Sequence, residues 1–434
     1  QERGAMKVLL VGSGGREHAI AWKLSQSDHV DRILATPGNV GIAAEPKCQC
    51  VNISSDDIPG LLNLALKEKV DLTVVGPEAP LCSGLTDTFR EKGLKVFGPS
   101  SKAAMLEGSK VFSKFLMQKY GIPSAAFQVF DDFENAKKQI SLYGFPTVVK
   151  ADGLAAGKGV FVCDNHEEAL NSLDSIMNQR VFGDAGNRVI IEECLKGEEA
   201  SFIAFSDGKN VIPLAGSQDH KAVFDQDKGP NTGGMGAYSP AQVITSNLHD
   251  RIMKYIMIPT VQGLESEGSP FVGFLYAGLM IQDDEVKVLE FNVRLGDPEA
   301  QPLLFRMKSD PFPLMMSAAE GDIAGMTIDW MDENSVCVVM ASKGYPGSYQ
   351  KGFEISGIDD ANRISDVKVF VAGAGQKDGR LVTAGGRVLG VTARSIGIKS
   401  AIEKAYEAVE LIRWEGAHFR RDIGKKALSR LNLD

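Results

Sequence analysis

Glu290 and Asn292 stand one residue apart in the run 286–293 (VKVLEFNV), with Arg294 directly beyond. A strand turns alternate side chains to one face, so the two oxygen-bearing groups point the same way while Leu289 and Phe291 bury the other side. An oxygen pair of this kind suits magnesium shared with nucleotide phosphates, because Mg2+ takes few protein ligands, and the arginine adds an anion clamp. Lys110 opens a helical pattern and Lys150 ends an apolar strand; a single lysine is more often a solvated surface charge, but two near a glycine loop are cations for phosphate. Residues 190–199 (IIEECLKGEE) read as a strand entering an acidic hinge, one that offers backbone groups to adenine and a carboxylate to ribose hydroxyls, or else a plain exposed turn.

Two glycine loops invite familiar readings and refuse them. In residues 12–18 (GSGGREH) the third glycine of a dinucleotide fingerprint would fall on Glu17, and no acidic residue ends the second strand near 33–36 to hold a ribose. What remains is an anion site at a helix N-terminus, or an ordinary strand-to-helix turn. In residues 150–159 (KADGLAAGKG) only three residues separate Gly153 from Gly157, and Gly159 stands where a Walker loop needs a hydroxyl. The loop is small, glycine-rich and cationic, which fits a mobile flap over a triphosphate or an idle hairpin tip.

These residues need a scaffold, and 434 residues are enough for about three domains. Strand and helix alternate at crossover spacing up to about residue 100, which predicts a parallel sheet wound with helices. Its strand ends would gather 12–15, 37–39 and 76–78, where ligands sit in such sheets. A helix is expected at 109–120. Mixed strands at 146–150, 160–163 and 189–193 precede alternating runs at 201–205, 273–281 and 286–293 that suggest an antiparallel sheet. A last segment carries strands at 337–341 and 387–392 and a helix at 399–411. We therefore expect an α/β chain with an N-terminal doubly wound domain at 6–105, a central α+β unit at 106–330 with a mobile lid at about 128–197, and a small C-terminal α/β domain at 331–434.

Composition narrows the partners. Forty-seven basic against 56 acidic residues leave a net charge of −9 without blocks of like sign, which argues against nucleic acid as the main partner. No apolar run reaches the ~20 residues a bilayer requires. The chain runs almost at once into a strand, so no signal segment is expected, and residues 1–5 read as an extension outside the fold. Six scattered cysteines, without a CxxC pair, read as reduced thiols. Reduced thiols point to the cytoplasm, and a monomeric enzyme of small molecules is expected, although nothing in the sequence decides the oligomeric state.

Taken in order, Lys110, Lys150, the glycine loop, the 192–199 hinge and Glu290-x-Asn292 resemble the ATP-grasp ligases. The strings GSGGREH (12–18), PGN (37–39), GPEAPL (76–81), KADGLAAGKG (150–159), QDHK (218–221), GPNTGGMGAYSP (229–240), LEFNVRLGDPE (289–299), SKGYPG (342–347) and GGRVLGVTA (385–393) are similar to the phosphoribosylamine–glycine ligase family. The central unit would then be an ATP-grasp pair of α+β domains. The resemblance implies that ATP phosphorylates the carboxylate of glycine and that the amine of 5-phosphoribosylamine attacks the acyl phosphate, in purine synthesis.

The resemblance also implies roles. Lys110, Lys150 and the flap residues Gly157, Lys158 and Gly159 would hold ATP phosphates, Glu193 and Leu195 would meet adenine through backbone, Glu199 would hold ribose, and Glu192 would belong to the same nucleotide site. Glu290 and Asn292 would bind Mg2+ or Mn2+. Arg294, Asp219, His220 and Lys221 would frame glycine and the transferred phosphoryl group, although a lone His such as His220 is more often structural than a partner of phosphate. Gly14, Gly15, Asn39, Glu78, Asn231, Thr232, Gly233 and Gly234 would receive phosphoribosylamine. Many ATP-grasp enzymes carry a carboxylate on the preceding strand, and residues 276–280 (YAGLM) have none, so ligands for a second metal stay open. Two other readings remain: an ATP-grasp enzyme of the same pathway with a different acceptor, or a nucleotide-binding regulator without catalysis.

Overall fold

The computed structural model describes residues 4–433, so residues 1–3 of the expected extension lie outside the described residues. The N-terminal sheet is fully parallel, in the order Cys48–Cys50, Val30–Pro37, Met6–Gly12, Leu72–Val75, Val96–Phe97. Met6–Gly12 is buried over its last five residues, as a strand covered on both faces must be. The order reverses beside Met6–Gly12. Its carboxyl end therefore opens a crevice, and helix Gly15–Ser25 starts there.

The central region contains two antiparallel sheets. One joins Phe127–Phe130, Val189–Glu193, Thr147–Ala151 and Val160–Cys163 and packs helix His166–Met177 over a small core of its own. The other joins Val211–Pro213, Glu198–Asp207, Val272–Gln282 and Glu285–Asn292. Its two faces share large cores with the N-terminal sheet and its helices, with Phe202 and Leu275 on one side and Phe205 and Phe274 on the other.

The C-terminal sheet is antiparallel throughout: Gln218–Asp219, Gly236–Ser239, Asn334–Ala341, Arg387–Ser395 and Val367–Val371. Two of its strands come from the central region, a pairing across about a hundred residues that no local pattern announces. Helix Ile398–Leu411 covers it with Ala401, Ala405, Ala408 and Val409. Among the described residues no helix is long and apolar enough to cross a membrane, and all six cysteines are unbridged.

Candidate active site

Helix Lys110–Lys119 is tied to the glycine loop by one side chain. Asp152 accepts from the Ser109 hydroxyl (2.8 Å) and the Val111 amide (3.0 Å), and Arg188 closes on its other oxygen at 2.7 Å. Ser109 in turn caps the helix through the Phe112 amide. Lys110 is thereby aimed along the loop, its Nζ donating to the Gly153 carbonyl at 3.1 Å. The loop continues through Gly157, Lys158 and Gly159 as an outward hairpin, closed by Lys158 N–H to Ala155 and Ala151 N–H to the Gly159 carbonyl.

Lys150 lies behind the loop, buried. It pairs with Glu192 and donates to the Leu289 carbonyl at 3.3 Å. The other Glu192 oxygen lies 3.1 Å from Lys114, which also donates to Ser124 and Ala125. Glu192 thus sits between two buried lysines, a place that fits positioning of cations better than direct contact with the nucleotide. Burial pushes Lys114 below the usual lysine range even with Glu192 beside it. Beyond Glu192 the chain leaves the sheet: the Glu193 amide is bonded to Ala126, Leu195 is half-buried in the hinge, and Glu199 is exposed at the start of the next strand.

Glu290 and Asn292 face Gly278 and Tyr276 across the sheet. The register slips between Gly278 and Leu279, which leaves Leu289 unpaired in a bulge. The buried backing is therefore Val288 with Phe291, where alternation had put Leu289; the bulged residue instead presents its carbonyl to Lys150. Lys221 lies 3.7 Å from Glu290 and 3.6 Å from Glu199. Partial desolvation works against ionising Glu290, yet Lys221, Lys150 and Lys110 hold its carboxyl below the usual range. Glu290 ringed by lysines, with Asn292 two residues on along the same strand, fits a divalent ion whose remaining ligands are phosphates and water. Among the described residues no trio of His, Cys, Asp or Glu gathers to hold a metal alone.

Arg294 lies between carboxylates, with Nε 3.2 Å from Glu78 and Nη2 3.5 Å from Glu107. Burial would lower its pKa, but Glu107 and Glu78 outweigh that and raise it, so the guanidinium is a fixed charge. Glu107 is itself pushed up to about 7, mainly by burial. Asp219 faces the same cleft, where burial among Glu299, Glu199 and Glu290 pushes it up to about 7.

His220 lies elsewhere. On the two-residue strand Gln218–Asp219 and its continuation, Asp219 and Lys221 turn one way and His220 the other. Its ring packs on Tyr238 at 5.9 Å and its Nε2 meets the Gly424 amide at 3.4 Å. Burial, helped by Arg420 and Lys426, pushes the imidazole down to about 4, so at neutral pH it offers no positive charge to a phosphate. The implied role of His220 at the transferred phosphoryl group does not fit this placement.

A second cavity, of about 520 Å3, opens where the N-terminal and C-terminal sheets meet. Gly14, Gly15 and Asn39 line it from one side, Gly373, Arg387 and Leu389 from the other, with Asp297 at the floor. At the helix start, the Gly14 amide faces Glu17 and the Arg16 amide faces Asp297, each at 3.4 Å. Part of that anion-binding end is therefore already used. Arg387 donates to the Asp297 carbonyl (2.9 Å) and reaches the Gly234 carbonyl (3.4 Å). A Cβ at Gly233 would meet Arg387 Cζ at 2.9 Å, which is why the loop of Asn231, Thr232, Gly233 and Gly234 can lie on this side chain. Thr232 anchors the loop by bonding the Lys221 carbonyl and the Gly234 amide. Glu78 is held by Arg294 and does not line the cavity. Arg387, Asp297, Glu107 and Lys114 were not singled out from sequence, although Arg387 and Asp297 stand within the quoted strings.

Profiles described as the phosphoribosylglycinamide synthetase N domain, ATP-grasp (A) domain and C domain match residues 6–107, 108–300 and 335–426. A phosphoribosylamine–glycine ligase of Allochromatium vinosum is 53% identical over 98% of this chain and 99% of its own length. One from Haemophilus influenzae is 50% identical over the same shares. The crystal structure of phosphoribosylamine–glycine ligase from Thermotoga maritima superposes with a TM-score of 0.84 at 35% identity, over 96% of this chain and all of that one. A biotin carboxylase from Campylobacter jejuni, 14% identical, shares the fold at a TM-score of 0.74 over 98% of this chain and 96% of its own.

Proposed function

The chain belongs to the phosphoribosylglycinamide synthetase family, and on that premise we propose how its residues perform ATP-dependent ligation of glycine to 5-phosphoribosylamine in purine synthesis. The observation that carries the reading is one cleft with two kinds of receptor. Lys110, Lys150, Lys221 and Arg294 surround Glu290, whose strand carries Asn292, and the same segment runs on to Asp297 in the lining of the cavity of Gly14, Gly15 and Arg387.

ATP lies between the two central sheets. Lys110 and Lys150 hold phosphate oxygens, the hinge at Glu193 and Leu195 meets adenine through backbone, and Glu199 meets ribose. Glu290 and Asn292 would hold Mg2+, or Mn2+ in its place, which would supply charge neutralisation on the phosphates. Arg294 clamps the glycine carboxylate, with Asp219 and Lys221 at its flanks. Positioned there, one carboxylate oxygen attacks the γ-phosphorus, ADP leaves, and glycyl phosphate results. The neutral amine of phosphoribosylamine, held in the cavity by Gly14, Gly15, Arg387 and the 231–234 loop, attacks the acyl carbon. Phosphate departs and a proton is lost from nitrogen as the amide forms. The protein supplies alignment and charge, and no protein nucleophile takes part.

ADP release measured with glycine, with and without freshly made phosphoribosylamine, tests this assignment: stoichiometric ADP and glycinamide ribonucleotide only with both substrates supports it, and equal ADP release without the amine refutes it. The hairpin through Gly157, Lys158 and Gly159 closes over the triphosphate as a lid. Cleavage by trypsin after Lys158, an exposed residue, is accordingly expected to slow at least several-fold when Mg-ATP is added, read by peptide mass. Equal cleavage with and without nucleotide would remove the loop from the site.

A further inference from the structure

The cavity's C-terminal wall is the end of an edge strand. Val367–Val371 pairs with Arg387–Ser395 on one side only, so its outer edge carries backbone groups in need of partners. At Val371 both are met by side chains from the N-terminal domain. The Val371 amide donates to His18 Nδ1 at 2.7 Å, and the Val371 carbonyl accepts from Asn39 Nδ2 at 2.8 Å. Immediately after this clamped residue, Ala372, Gly373 and Ala374 form the cavity wall.

Both clamping side chains are fully committed. The Asn39 amide donates its second proton to the Ser13 carbonyl at 2.9 Å, and its oxygen accepts from the Gly41 and Ile42 amides at 2.9 and 3.0 Å, capping helix Val40–Ala43. Two donors and two acceptor sites are all that an amide has. No hydrogen bond is left for a substrate, so the implied direct contact of Asn39 with phosphoribosylamine does not fit. His18 is 2% exposed, and its Nε2 faces Glu45 Oε1 at 2.9 Å. Since Nδ1 accepts from an amide, the ring is neutral with its proton on Nε2. Glu45 is in turn paired with Lys368 of the same edge strand at 2.5 Å. Gly41 leaves room for the arrangement, because a Cβ there would lie 2.5 Å from His18 and 2.6 Å from Val371.

We propose that His18 and Asn39 are positioning residues for the ribosylamine half-site: by holding Val371 through its amide and its carbonyl they fix residues 372–374 as a wall of the cavity. The inference rests on the proposed reading of that cavity, and it assigns to the His of GREH and the Asn of PGN a role in joining domains rather than in touching substrate. Neither residue approaches the ATP cleft, so ATP and glycine handling is left alone.

The test compares His18→Asn, His18→Gln and Asn39→Asp in the full chain. An Asn oxygen stands where imidazole Nδ1 stands and keeps the acceptor for Val371, whereas a Gln side chain reaches only the Nε2 position. Asn39→Asp keeps the cap of helix Val40–Ala43 and replaces both donors with carboxylate. His18→Gln and Asn39→Asp are expected to raise KM for phosphoribosylamine about ten-fold or more, with KM for ATP and glycine within about two-fold. His18→Asn is expected to stay within about three-fold on all three. Hydrogen exchange of the segment 367–374 reads the clamp without turnover, and should quicken in His18→Gln and Asn39→Asp but not in His18→Asn. Uniform KM changes across substrates, or equal effects of Asn and Gln at position 18 with exchange unchanged, would overturn the proposal. Absence of amine-dependent turnover in the unsubstituted chain would instead strike the functional reading, with the exchange comparison still deciding the clamp.

Discussion

Glu290→Ala is expected to lower turnover by about 10³-fold with the fold intact, a loss of roughly 4 kcal/mol in transition-state stabilisation. The carboxylate stands 3.7 Å from Lys221 and within the field of Lys110 and Lys150, so it belongs to the charge balance around the phosphoryl group in transfer. Its side chain is 39% exposed, while the packing of its strand comes from Val288 and Phe291, so truncation leaves no buried cavity. Circular dichroism and the urea midpoint should match the unsubstituted protein. Turnover within ten-fold of normal at limiting magnesium would remove Glu290 from the metal site.

Glu192→Leu acts on the other side of the cleft and is expected to cost about 3–5 kcal/mol of stability. The carboxylate is 3% exposed and is the counter-charge of both Lys150 and Lys114, so its loss leaves two buried ammonium groups facing one another. The leucine recovers apolar contact but no charge balance. Urea unfolding followed by a probe in the sheet that contains Val189–Glu193 should show the midpoint falling, and KM for ATP should rise because Lys150 loses its aim. A stability loss below about 1 kcal/mol would mean that the lysines find other partners or neutralise, and that Glu192 is free to serve the nucleotide directly.

Much of this arrangement was legible in the residues. The apolar strands Met6–Gly12, Leu72–Val75 and Val189–Glu193 and the helix Lys110–Lys119 announce themselves through period and caps, because their stabilising contacts are local or cover both faces alike. The errors have a common cause. Strict alternation puts Leu289 on the buried face, and one unpaired residue in the ladder shifts it off. Adjacency groups His220 with Asp219 and Lys221, but a period of two sends it to the opposite side, which leaves it the structural role that a lone His more often has. The strands expected in the last segment do not include Val367–Val371, and with it the cavity wall; its clamp joins residues more than 330 positions apart, which no spacing rule reaches. Asn39 stands out in the PGN string, but only the count of its four hydrogen bonds distinguishes a clamp from a substrate contact.

The chemistry itself is tested most directly by the fate of oxygen. Glycine carrying heavy oxygen in both carboxylate positions is turned over with ATP and phosphoribosylamine, and the inorganic phosphate is analysed by mass. Attack of a glycine oxygen on the γ-phosphorus, followed by departure of phosphate as the amine attacks, requires one heavy atom in phosphate per turnover and one retained in the new amide. That is the result expected from a cleft that aligns a small carboxylate between Arg294 and the phosphate-binding lysines. Unlabelled phosphate accompanying glycinamide ribonucleotide would contradict the acyl-phosphate route, and phosphate release without any such product would contradict the ligase reading altogether.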